Sequence, residues 1–125
     1  MMVAGWYSGA GFNPVAPMVQ VDVSAPRGGH RLSVDALIDS GADFSMLPRN
    51  VVASLNLSRL RTMPVAGATG SARRTVYSAA LNLPGFAPRV FQVISWNSPY
   101  AVLGRDLLNH RVVYLDGPNR VVQIT

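Results

Sequence analysis

The chain contains no cysteine, no lysine and no glutamate. Without cysteine there is no disulfide scaffold, thiolate metal site, iron–sulfur cluster or thiol nucleophile. Without lysine, Schiff-base chemistry and the phosphate-binding P-loop are excluded. Without glutamate, glutamate acid/base pairs and the H-E-x-x-H zinc motif go as well. Charge is scarce, at 14% of residues, and all eleven bases are Arg and all six acids Asp. His30 and His110 stand alone, with no acidic or thiol neighbour at ligand spacing, so neither a metal nor a cofactor is expected. The net charge of +5 permits nucleic-acid contact, but the arginines are scattered and their longest run is Arg73-Arg74. Nucleic acid is therefore not the expected partner. No apolar run reaches the roughly 18 to 20 residues of a membrane span. Residues 1–7 lack a basic segment ahead of an apolar one, so no signal peptide is expected. The expectation is a soluble, cytoplasmic protein.

What is present is a 125-residue chain that is 49% hydrophobic. A chain of this mass buries about two thirds of its extended surface, enough for one core. We expect one domain over 1–125, with residues 1–16 as an irregular N-terminal arm. Period-two alternation dominates the rest. Val19, Val21 and Val23 share one face of a strand over 18–24. Leu32, Val34, Ala36 and Ile38 share one face of a strand over 31–38, and Pro26 to Gly29 turns the chain between them. Further strands are read over 61–66, 72–83, 89–94, 101–103, 111–115 and 120–124. Short helices are read over 49–55, behind Pro48, and over 104–109. Turn signals every ten or so residues favour a closed or sandwiched all-β domain.

The informative segment runs from Ala36 to Pro48. A strand buried enough to read Ala-Leu-Ile ends on Asp39-Ser40-Gly41-Ala42. The apolar run fixes the Asp39 carboxylate at the end of a rigid element, and Gly41 permits a sharp turn. About sixty residues later a second apolar strand breaks into a helix at glycine, Ala101-Val102-Leu103-Gly104-Arg105-Asp106-Leu107-Leu108. Together these resemble the retropepsin-like aspartic proteases, with a pattern similar to their small prokaryotic and cellular members.

The resemblance implies an all-β fold, a closed, barrel-like acid-protease half-domain with one or two short helices. It implies an aspartic endopeptidase acting on peptide or protein substrates. Only one Asp-Ser-Gly is present, so the second carboxylate must come from a second copy, and a homodimer is expected with Asp39 on its two-fold axis. Two such carboxylates about 3 Å apart cannot both ionise, and in this family they share one proton. The implied catalytic group is Asp39, Ser40 and Gly41, with the Ser40 hydroxyl bonding across the interface. Asp43 and Arg105 fit the family's bracing ion pair. Residues 64–72 fall where the family carries its flap. The implied substrate-binding set is Ala42 and Asp43 in the loop, with Ala66, Gly67, Ala68, Thr69 and Gly70 at the flap tip. Trp96 and Tyr100 flank a loop near the groove, and Val121 to Thr125 could interleave with a partner's termini. A non-catalytic dimerisation or peptide-binding module on the same fold stays open, because fold does not establish activity.

Overall fold

The two valine-rich segments pair with each other. In the computed structural model, which describes residues 1–67 and 69–125, β3 (Ala16–Ala25) and β4 (Gly28–Ile38) form an antiparallel hairpin. Its register sets Val19 opposite Ala36, Val21 opposite Val34 and Val23 opposite Leu32. Val19, Val21, Val23 and Ala36 are fully buried, whereas Gln20 and Asp35 on the other face are exposed. Each buried valine contributes roughly 1.5 kcal/mol or more of apolar transfer.

The rest of the main sheet grows around this hairpin. It contains β5 (Met46–Pro48), β6 (Arg59–Gly67), β7 (Gly70–Asn82), β8 (Arg89–Trp96) and β9 (Ala101–Leu103). The order β3-β4-β9-β5-β8-β7-β6 is joined back on itself by pairing between β3 and β7, with Val23 opposite Leu81. The sheet therefore closes into a ring, and β6 stands out from it as the outer arm of a long hairpin with β7. The inward faces make one core with Leu47, Leu81, Val93 and Leu103. Helix α1 (Arg49–Ser54) seals one side through Val51 and Val52, and α2 (Arg105–Leu108) another through Leu107 and Leu108.

A second, smaller sheet holds the chain ends. It has the order β1-β11-β10, from β1 (Val3–Ala4), β10 (Val113–Asp116) and β11 (Val121–Ile124). In the β10–β11 turn, side-chain and backbone hydrogen bonds from Asn119 hold the Asp116 carboxyl below the usual aspartate range.

The N-terminal segment departs from expectation. Residues 1–16 are not an irregular arm throughout: β1 pairs with β11, and β2 (Trp6–Ser8) pairs with β3. Residues 9–15 alone form turns and bends. Strands of two and three residues show no periodicity, and their partners lie far along the chain. Gly5 links the two sheets, donating its N–H to the Val122 carbonyl at 3.0 Å. A side chain there would come within 2.1 Å of the Met18 carbonyl oxygen. The same arrangement corrects the reading of Val121 to Thr125. β11 has β1 on one side and β10 on the other, both from its own chain, so it offers no free edge to a partner. Of the aromatics in this segment, Tyr7 packs on the core and Phe12 on Tyr100, at 5.0 Å between ring centroids. Trp6 is exposed.

Candidate active site

The site begins with a parallel pair of strands. β4 and β9 run side by side with Ala36 beside Ala101, Leu37 beside Val102 and Ile38 beside Leu103. Both strands end at the same level, so Asp39 and Gly104 leave the sheet next to each other. The Asp39 N–H donates to the Leu103 carbonyl at 3.1 Å, which extends the ladder by one residue. The chain then turns tightly. The Gly41 N–H donates to Asp39 Oδ1 at 2.9 Å, and the Ala42 N–H to the Asp39 carbonyl at 3.1 Å. Asp39 is half-buried, while Ser40 and Gly41 are exposed at the apex. One carboxylate oxygen is thus held by the backbone, at a turn with an accessible tip.

The second motif braces this turn from behind. The Arg105 N–H donates to the Ala42 carbonyl at 2.8 Å, and Arg105 Nη1 donates to the Ser40 carbonyl at 2.7 Å. Arg105 Nη2 reaches Asp43 Oδ1, so the two residues paired on sequence grounds form an ion pair. Gly104 lies against the loop so closely that a side chain would sit 2.7 to 2.9 Å from the backbone of Phe44 and Ala42. Only a residue without Cβ allows that approach.

Sequence reasoning missed a further pair. Ser45 is completely buried, yet its Oγ donates to Asp106 Oδ1 at 2.7 Å and accepts the Gly104 N–H at 3.1 Å. Its own N–H donates to Asp106 Oδ2 at 2.9 Å. Asp106 thereby ties the end of the Asp39 loop to the start of α2. The signal was a lone hydroxyl between Phe44 and Met46, ahead of the buried Leu47-Pro48, with an unassigned aspartate in the second motif.

Opposite the loop lies the long hairpin. Ala42, Phe44 and Met46 form one wall of a groove of about 320 Å³, and Met63 and Val65 of β6 form the other, with Ile94 beside them. That volume lies in the range of ligand sites. Gly41, Asp43 and Ala66 also line it. Gly67, Thr69 and Gly70, assigned to the substrate on sequence grounds, instead line a second recess of about 360 Å³ farther along the hairpin, which Ala66 also borders. Ala68 lies outside the described residues. Trp96 lines the second recess, with its Nε1–H donating to the Tyr100 carbonyl at 3.0 Å and its ring edge-on to Tyr100.

The sequence profile described as retroviral aspartyl protease matches residues 14–116. The chain belongs to the retroviral aspartyl protease family. The match takes in Asp39-Ser40-Gly41, the hairpin and the Gly104-Arg105-Asp106 segment, and leaves β1, β2 and β11 outside. Among solved structures, this family member resembles the EIAV protease complexed with the inhibitor HBY-793. The TM-score is 0.60 and the identity 21%, covering 76% of this chain and 86% of that one. The likeness establishes the retropepsin-like fold. No curated protein matches the chain. Among the described residues, no helix is long and apolar enough to cross a membrane.

Proposed function

We propose that the chain is one half of an aspartic endopeptidase and works as a homodimer, with Asp39 of each copy flanking one water molecule. The observation that carries this reading is the Asp39 turn: a single Asp-Ser-Gly, fixed by Gly41 and Leu103, opening onto a groove walled by a hairpin. One such turn supplies one carboxylate, and the chemistry needs two.

Two carboxylates sharing a proton divide the work. The ionised one takes a proton from the water, whose oxygen attacks the peptide carbonyl carbon. The protonated one donates to the carbonyl oxygen, giving a neutral tetrahedral diol with no covalent link to the enzyme. A proton then passes to the peptide nitrogen, the C–N bond breaks, and an acid and an amine leave. With both carboxylates ionised no proton is left for the carbonyl oxygen, so cleavage needs one proton held by the pair.

The remaining residues position the reactants. Gly41 orients Asp39 through its N–H, and the Ser40 hydroxyl bonds across the interface. Arg105 and Asp43 keep the loop from shifting, and Ala42 and Asp43 face substrate backbone. Ala66, Gly67, Thr69 and Gly70 close over the peptide and exclude water. The peptide lies extended, paired through its backbone with the groove edges. Phe44, Met46, Met63 and Ile94 favour apolar side chains next to the scissile bond.

The test uses purified wild type and Asp39→Asn on an unstructured protein near pH 4 to 6, with and without a statine-type inhibitor. We expect cleavage by the wild type, loss of at least about a thousandfold in the variant, and inhibition by the statine. Equal cleavage by both proteins contradicts the assignment. Peptide binding without cleavage identifies a binding module.

A further inference from the structure

Past the catalytic turn, the groove continues under the hairpin into the second recess, which shares Met46, Val65 and Ala66 with the first. The far end of that recess carries Trp96 and Arg74. Strand register fixes the direction of Arg74. It shares a face of β7 with the buried Val76 and stands opposite Met63 of β6, which lines the catalytic groove. Alternate residues of a strand point the same way, so Arg74 projects to the groove side. Arg73 projects to the other side, where its Nη2 donates to Thr62 Oγ1 at 3.1 Å.

Arg74 is half-buried, and among the described residues it has no carboxylate partner. No acid lines the recess, and the one acid in the neighbouring groove, Asp43, is taken by Arg105. Another cavity of about 440 Å³, bordered by Arg49, Arg73 and also by Arg74, lacks an acid too. The local charge is therefore positive, with no unpaired acid among the described lining residues to offset it. A guanidinium partly withdrawn from water, without a counterion, favours any carboxylate that can reach it in two-point geometry.

The recess opens from the groove, so what reaches Arg74 is a side chain of the bound peptide. We propose that Arg74 forms a cationic subsite for an acidic side chain of the substrate. This rests on the protease reading and adds a substrate class to it, peptides that are apolar at the cut and acidic nearby. Side chains on one side of an extended peptide recur every second residue, roughly 7 Å apart. The acidic residue lies two positions from the apolar residue seated between Met46 and Met63.

The test is a set of peptides that share one apolar cleavage site and carry Glu or Gln at each flanking position in turn. At one position, wild type is expected to cleave the Glu peptide with kcat/KM about tenfold higher at low salt. The preference should grow as pH rises through the glutamate range, near about 4.3, and shrink with added salt. Arg74→Gln removes the preference, and Arg74→Glu reverses it towards a Lys peptide. The same peptides, fluorescently labelled, are titrated into Asp39→Asn, so binding is read apart from chemistry. Absence of all cleavage contradicts the protease reading while the binding arm still decides the subsite. Equal binding of Glu and Gln peptides at every position, or a preference unchanged in Arg74→Gln, overturns the proposal.

Discussion

Ser45 and Asp106 show how buried polar contacts hold the Asp39 loop in place. The Ser45 hydroxyl satisfies both the Asp106 carboxylate and the Gly104 N–H in a place that water does not reach. Ser45→Ala leaves the buried Gly104 N–H without a partner and takes one of three donors from the Asp106 carboxylate, which costs about 1–3 kcal/mol. The expected result is a lower melting temperature and weaker cleavage, although Ser45 touches no substrate. An unchanged melting curve would show that the contact carries no stability. At this scale the sequence was partly legible. Asp39 could be singled out because it ends an apolar strand and precedes Ser-Gly. Ser45 and Asp106 were each visible, as a lone hydroxyl and an unassigned aspartate, but sixty residues apart they become neighbours only once β4 and β9 are paired.

The pairing of β4 with β9 is the element on which the site depends. It places two chain segments, distant in sequence, at one level, and Gly104 lets them touch. Gly104→Ala pushes a methyl group into the backbone of Phe44 and Ala42, which cannot swing aside as a side chain would. We expect a loss of about 1–3 kcal/mol in denaturant unfolding, together with reduced cleavage. Gly117→Ala, where a methyl group meets nothing within 4 Å, is the matched control and should leave both close to wild type. Equal behaviour of the two variants would contradict this account of the loop. Long elements were legible because one face of each is buried. The alternation of Val19, Val21 and Val23 and of Val34, Ala36 and Ile38 located β3 and β4, and structure lengthened them by one to three residues at their ends. β1, β2 and β5 were missed, since two or three residues hold no period and their edges are covered by distant strands.

For the whole molecule, the ring of strands leaves the Asp39 turn exposed at its apex and the Arg74 recess open along the hairpin. The small sheet ties both chain ends together within one copy, so the contacts of the proposed dimer come from elsewhere than a free edge of β11. Val112, Tyr114 and Leu115 leave apolar surface exposed at and just before β10. Family and fold follow from one chain, whereas the proposed catalysis belongs to two. A mixing experiment separates these most directly. Wild type and Asp39→Asn are combined at fixed total concentration, allowed to exchange subunits, and assayed on one peptide. If each active site needs Asp39 from both copies, the rate follows the square of the wild-type fraction, falling to about one quarter in an equal mixture. A rate that falls in direct proportion, to about one half, means that each chain cleaves by itself, and would contradict the shared dyad.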